Sequence, residues 1–416
     1  MAHQLSTSAQ VRSCLVASGG LLSSGMTVAF PSIYKEQRLT TEMSWLGSAS
    51  HFAMIGGSLI VGPMMDSLGR KIGLVLALSF SMIGWSFIGG SGWLVPGRLL
   101  TGLSAGIVSA PVSVLVAEIS APKLRAHLTV YKHAAFSLGL FIMYCFGLFF
   151  KDQWKLSSLI CGGMSLLSLV TVWAWVPETR KGKTNMSYGP FFAALPRRKD
   201  VSRPFLLMAG LASLKQLSGT TVVLSYASQL LVAGGQTQGE LGAVCIGGVR
   251  LAASLFAGPL AARFGRRSLA TLGGYLSSLA LLIMAGGSSQ SLACLLVFVF
   301  SSALSSSAIQ ALVGEVFPVD FRAVCTGLTT TATYVSAFAA LHSHPWLLSS
   351  LGLNRLLGIY ATIAVITTLI VICFLHDTTV TVKEVELGQP DAEEVMEPLK
   401  EETKEMTVLD ELKQNC

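Results

Sequence analysis

Stretches of about twenty apolar residues follow one another along most of this chain, joined by segments too short to fold by themselves. A helix of that length rises about 30 Å, the thickness of a bilayer's hydrocarbon core. Twelve such segments can be read, at 12–34, 43–65, 72–92, 94–119, 127–149, 155–176, 204–233, 240–262, 268–289, 291–316, 323–345 and 355–375. Lipid offers no hydrogen bonds to exposed backbone, so each segment must satisfy its own peptide groups as a helix. Only 12% of the 416 residues are charged, about half the share of a soluble domain. The expected fold class is an all-α membrane protein with twelve transmembrane helices. The start, MAHQLSTSAQVRS, lacks the basic region and cleavage site of a signal peptide, so the first span should stay as an anchor.

Basic residues set the orientation. Arg70 and Lys71, Lys123 and Arg125, the 180–203 segment, Arg263, Arg266 and Arg267, and Arg322 fall in alternate joints, which positive-inside bias assigns to the cytoplasm. The opposite joints are short and mixed in charge, as at Lys35, Glu36 and Arg38. Both termini are then cytoplasmic, and the glycosylation-type sequon at Asn185 should go unused. Four regions follow: a six-helix bundle over 1–178, a basic linker over 179–203, a second six-helix bundle over 204–375, and a tail over 376–416. The linker sets seven basic residues against Asp200 and should lie on an anionic inner leaflet. The tail holds twelve acids and four lysines, a balance of −8; taken from the formal +7, this leaves the membrane body at +15. So acidic a segment without aromatics is expected to be disordered and regulatory at most. Of eight cysteines, seven fall inside spans, and their spacing fits neither a disulfide framework nor a metal site, so they read as packing residues.

The chain repeats itself. MDSLGRKIG (65–73) follows the second span as ARFGRRSLA (262–270) follows the eighth, and EISAPKLRAHL (118–128) follows the fourth as EVFPVDFRAVCTG (315–327) follows the tenth. Repetition at a lag of six spans is the mark of paired parallel-repeat bundles. Glu118 and Glu315 end helices, where the negative dipole end disfavours acids. Each calls for a cation from the set Arg70, Arg98, Arg125, Arg266, Arg267 and Arg322. Breakable ion pairs on the cytoplasmic face suit a gate, although the same charges also set topology.

The residues that carry a family likeness are Asp66-Ser-Leu-Gly69-Arg70-Lys71, Pro96-Gly97-Arg98-Leu-Leu-Thr-Gly102, Glu118 with Arg125, Pro177-Glu178-Thr179-Arg180, Gln216-Leu-Ser-Gly219, Gly265-Arg266-Arg267, and Glu315-Val-Phe-Pro318 with Arg322. In these the chain resembles the sugar porters of the major facilitator superfamily, and among them the insect trehalose and animal hexose facilitators. The basic turn alone is common across the superfamily, whereas QLSG, PETR and GRLLTG together point to sugar porters. The resemblance implies a twelve-helix fold of two bundles, alternating access, a sugar site at mid-membrane and residence in the plasma membrane. It makes Asp66, Gly69, Arg70, Arg98, Glu118, Arg125, Glu178, Arg180, Gly265, Arg266, Arg267, Glu315 and Arg322 the cytoplasmic gate.

Departures from the family pattern are as informative. An acid usual before the second basic turn is Ala262, the helical insert between the halves is largely missing, and a span-ten proline-and-tryptophan stretch is replaced by Ser306-Ser307-Ala308-Ile309-Gln310. Carried over position by position, the sugar contacts fall on His133, Lys215, Gln216, Thr221, Tyr226, Arg250, Gln310, Thr333 and Tyr334. Where relatives keep neutral amides, Lys215 and Arg250 are cations that can only donate hydrogen bonds. No acid in spans seven or eight lies near enough to pair with them locally, and intramembrane cations usually face a watery cavity or a partner. His133 reads equally as a neutral, satisfied histidine, and Lys132 as snorkelling towards the cytoplasm.

Three functions stay open: a facilitative carrier for trehalose or a hexose, a carrier for an anionic solute such as a sugar acid or organic acid, and a non-transporting sensor on a transporter fold. The first span contains no Asp or Glu, which favours facilitated diffusion over coupling through a proton-carrying acid. No nucleophile–base pair, metal cluster or nucleotide loop suggests an enzyme, a metal, a cofactor or a nucleic-acid partner; the expected partners are a small solute and the bilayer. Oligomeric state is not legible.

Overall fold

The computed structural model describes residues 6–34, 40–151, 153–179, 191, 195, 198–287, 291–317 and 321–374, without the side chains of 40–43, 122–127, 129, 200, 291, 314 and 315. Arg180, most of the linker, the acidic tail and the side chains of Arg125 and Glu315 therefore lie outside the described residues. The chain through Leu375 is one compact unit.

Fourteen helices are found among the described residues. They are α1 (Thr7–Ile33), α2 (Thr40–Leu68), α3 (Arg70–Ser86, extended by a π-turn at Phe87–Ser91), α4 (Leu94–Ile119), α5 (Pro122–Phe149), α6 (Trp154–Trp175) and α7 (Lys199–Leu217). There follow α8 (Thr220–Ser225), α9 (Ala227–Ala233), α10 (Gly239–Phe264), α11 (Arg266–Ala285), α12 (Ser291–Val316), α13 (Arg322–Leu351) and α14 (Leu353–Phe374). Ten of the helices are long and apolar enough to cross a membrane by length and composition.

Two sequence expectations need correcting. The seventh span, read as one helix over 204–233, is three pieces, α7 to α9, because Gly219 and Tyr226 take non-helical conformations. The linker expected to reach residue 203 ends sooner, since α7 already starts at Lys199.

Within the first six helices, α1 packs on α4, α5 and α6, while α4 also receives α2 and α3. Among the later ones, α11 packs on α12 and α14, α10 on α12, and α7 on α13 and α14. The two groups meet where α2 lies on α13, α5 on α10, and α1 on α8. Lipid tails are as apolar as leucine, so close approach of small residues does much of the packing. On the α1–α5 seam a Cβ at Gly25 would collide with the Phe136 carbonyl, and one at Gly139 with the Leu22 carbonyl.

Among the described residues, the buried apolar side chains form three clusters with an uneven layout. At the end where α1 finishes, one cluster joins both groups through Phe30, Tyr34, Met143, Tyr144, Val222, Tyr226, Ile246 and Tyr360. Towards the opposite end there are two clusters. One, with Leu74, Leu78, Val108 and Leu115, belongs to the first six helices, and the other, with Met208, Leu211, Leu269 and Leu312, to the later ones.

Candidate functional site

Gly219 breaks the seventh span. Its φ of +85° is the left-handed region, and a Cβ there would sit 2.7 Å from the Tyr360 ring, so both backbone and space demand glycine. The end of α7 is tied off locally: Ser218 N–H donates to Leu214 O at 2.9 Å, and Ser218 Oγ to Lys215 O at 2.8 Å. Thr221 Oγ1 reaches back across the break to donate to Gln216 Oε1.

Lys215 thus occupies the last turn of a short helix rather than the middle of a long one. The negative end of α7 favours a cation by about 0.3–2 kcal/mol, against roughly 2.5–3.5 kcal/mol for a lysine at bilayer depth. The dipole offsets only part of the penalty. Lys215 is 5% exposed, and among the described residues its ammonium makes no hydrogen bond.

Arg250 lies on α10 across the seam from α5. Its guanidinium carbon is 5.8 Å from the Phe136 ring centroid, and Nε and Nη1 are buried without a hydrogen-bond partner. Nearby, Ser137 and Ser254 hydroxyls bond at 2.6 Å between the same helices. Arg250 is close enough to act electrostatically on both Lys215 and His133, and His133 also feels Lys132. Arg250, Lys215 and His133, three of the positions carried over from the family, are thus within electrostatic reach through Arg250. Lys132 does not snorkel: its Nζ donates to Ser113 Oγ on α4 at 3.1 Å.

The other expected contacts are less concentrated. Thr221 and Tyr226 are buried, and Tyr226 stacks on His344 with centroids 5.1 Å apart. Tyr334 lies near Ser109 of α4, in the other group of helices. Thr333 Oγ1 bonds its own helix at Thr329 O, 2.8 Å away, and Gln310 is exposed on α12. Nothing among the described residues joins Gln310 or Thr333 to Lys215, Arg250 or His133.

The expected gate charges form compact local arrangements. Gly69, with φ +93°, caps α3, and Glu178 Oε1 accepts the Arg70 N–H at 2.9 Å, placing a carboxylate on the positive end of that helix. Arg70 Nη2 pairs with Glu118 Oε1 at 3.3 Å, and the Thr179 hydroxyl donates to Glu118 Oε2. In the repeat, Gly265 at φ +81° caps α11, Arg267 Nη2 donates to Ile372 O at 2.9 Å, and Arg322 Nε to Phe317 O at 3.3 Å. Asp66 and Arg266 hold further interactions.

Arg98 is a correction. It was expected among the cytoplasmic gate charges, but α4 starts at Leu94 and ends at Ile119, which sets Arg98 and Glu118 about 30 Å apart at 1.5 Å per residue. Arg98 is fully buried, donating to Leu46 O at 3.2 Å, Ser50 Oγ at 2.7 Å and Thr27 O, with its guanidinium 5.4 Å from the Phe30 ring centroid. Its cationic signal misled because charge type says nothing of which helix end carries it.

Sequence reasoning also missed a set of contacts at the end where α1 finishes. Ser48 Oγ meets His342 Nδ1 at 3.1 Å between α2 and α13, and the His342 ring lies 5.1 Å from Trp45 and 5.4 Å from Phe338. Ser228 N–H donates to Ser32 Oγ at 3.0 Å, Gln229 Nε2 to Pro31 O at 2.7 Å, and Tyr144 to Leu224 O. The polar residues in otherwise apolar helices were the available signal.

Comparison with known proteins gives two overlapping family matches: "Sugar (and other) transporter" over residues 177–386, and "Major Facilitator Superfamily" over residues 13–234. Among curated relatives, the sugar transporter ERD6-like 6 of Arabidopsis thaliana is 26% identical, over 67% of this chain and 66% of that protein. The facilitated trehalose transporter Tret1 of Anopheles gambiae is 24% identical, over 89% of this chain and 54% of that protein. The chain thus spans between about half and two thirds of these relatives' lengths. Among solved structures, the xylose transporter XylE from E. coli, in a partially occluded inward-open conformation, aligns with a TM-score of 0.72 at 18% identity. That alignment covers 90% of this chain and 99% of the other.

Proposed function

The chain belongs to the sugar transporter family of the major facilitator superfamily, and we propose that it moves a sugar or sugar-like solute across the membrane by alternating access. The uneven core carries this reading: one apolar cluster shared by both groups of helices at the end where α1 finishes, and two separate clusters towards the other. Two six-helix bundles, 1–178 and 204–375, would rock about the α2–α13 and α5–α10 seams, meeting at one end while parting at the other. With both termini in the cytoplasm, as the basic loops favour, this shape opens inward. Ser48–His342 and Ser32–Ser228 then close the outer side. Arg70, Glu118, Glu178 and their counterparts at Gly265, Arg267 and Arg322 would change partners when the inner side shuts.

The solute would sit at the helix break, where Gln216 and Thr221 offer neutral partners and Tyr226 a ring, as the family resemblance suggests. The absence of Asp and Glu from α1 favours facilitated diffusion over proton coupling through that helix, and the plasma membrane is the expected location. The test is uptake by the purified protein in liposomes of labelled trehalose, glucose and anionic sugars, with and without a pH gradient. Saturable, gradient-independent uptake is expected; no uptake of any of these solutes would refute the carrier reading.

A further inference from the structure

Among the described residues, no carboxylate pairs with the cations Lys215 and Arg250. Between residues 201 and 239 and again between 241 and 314 the sequence contains no Asp or Glu, and α5 beyond residue 127 has none. Lys215, Arg250 and His133 nevertheless lie on α7, α10 and α5 with Arg250 within electrostatic reach of the other two. Glu240 stands on α10 ten positions before Arg250, about 15 Å along the axis. Protein dipoles do not close the gap. The Arg250 Nε and Nη1 groups are buried without partners, its Phe136 contact is a ring face, and the Lys215 ammonium has no hydrogen bond among the described residues.

We propose that the cluster of Lys215, Arg250 and His133 binds the oxyanion of an acidic sugar, a carboxylate or a phosphate, so that the solute supplies the countercharge. This rests on the carrier reading and narrows its substrate class. Arg250 provides the planar donor pair that suits a carboxylate or phosphate, and Lys215 a point charge beside it. Gln216, next to Lys215, and Thr221, across the break and bonded to it, are left for the sugar hydroxyls. Lys132 is engaged by Ser113 and adds to the positive potential at His133.

The experiment uses the full chain, purified and reconstituted, with labelled D-glucuronate, D-glucose 6-phosphate and D-glucose, alongside thermal-shift binding of the same three compounds to the detergent-solubilised protein. Expected is saturable uptake of glucuronate or glucose 6-phosphate at least tenfold faster than glucose, accelerated by an inside-positive potential because charge moves with the solute. The preferred anion separates carboxylate from phosphate. Lys215→Gln and Arg250→Gln should each lower that uptake at least tenfold, while Lys215→Arg, which keeps the charge, retains most of it. If the Gln variants fail to fold, competition on the unaltered protein decides: the unlabelled anion must block uptake where glucose does not. Saturable glucose uptake with neither anion carried, binding nor competing overturns the proposal and leaves the carrier reading standing. Anion binding lost in Lys215→Gln with no uptake of any solute supports the site and overturns the carrier reading. No binding and no uptake overturns both.

Discussion

Replacing Gly219 with alanine tests whether the break in the seventh span is an imposed feature of the site. Two penalties are expected. An L-residue at φ +85° costs about 1–2 kcal/mol relative to glycine. The added Cβ would lie 2.7 Å from Tyr360 Cδ2 and 3.0 Å from its Cγ. A buried ring cannot swing away as a flexible chain end would, so overpacking adds roughly 1–3 kcal/mol. Gly219→Ala should therefore destabilise by about 2–5 kcal/mol, read as an apparent Tm several degrees lower in detergent. The damage falls between Lys215 and Gln216 on one side and Thr221 on the other, so uptake in liposomes should drop more than the folded fraction does. Gly163→Ala is the control: its Cβ would meet nothing within 4 Å, and both readouts should stay at wild-type levels. A Gly219→Ala protein with unaltered Tm and unaltered uptake would refute the idea that a left-handed residue is required at the break.

Three further outcomes follow from the same geometry. Glu118→Gln removes one partner of a partly exposed ion pair with Arg70, worth about 0.2–1 kcal/mol, so Tm should barely move while the conformational exchange rate shifts up to about fivefold; an uptake rate equal to wild type would remove Glu118 from the gate. His342→Ala deletes the bond to Ser48 between α2 and α13, a net loss of about 0.5–1.5 kcal/mol. Spin-label distances between the outer ends of those helices should broaden towards longer values, and an unaltered distribution would mean the contact latches nothing. Arg98→Met keeps length but gives up donors to Leu46, Thr27 and Ser50; at roughly 1.5–3 kcal/mol for a hydrogen bond to a charged group, thermal stability should fall clearly, and a Tm held at wild type would show that these bonds carry little net energy.

Apolar length fixes where most helices run, and the structure keeps the paired basic turns where the repeat puts them, each opened by a glycine at positive φ, Gly69 and Gly265. Lys215 and Arg250 stood out in sequence because lone cations in apolar helices are expensive, and Arg250 is within electrostatic reach of Lys215. The break between them was not legible: QLSG is apolar enough to pass for continuous helix, and the conflict that enforces a left-handed residue comes from Tyr360, more than a hundred positions away. Arg98 failed for a related reason. Hydropathy gives the course of α4 but not what its first turn faces, and the carbonyls of Thr27 and Leu46 that receive the guanidinium leave no trace in composition. Gln310 and Thr333 were carried over from family positions alone, and no contact among the described residues reinforces them.

Arg98 has a mechanical consequence. From α4 it grips α1 at Thr27 and α2 at Leu46 and Ser50, so three helices are riveted at a single point by neutral acceptors. Shear among them would have to strip a buried guanidinium of all its acceptors at once. That corner of the protein is braced as one unit, and the seventh span, jointed at Gly219 and Tyr226, is left as the more compliant element.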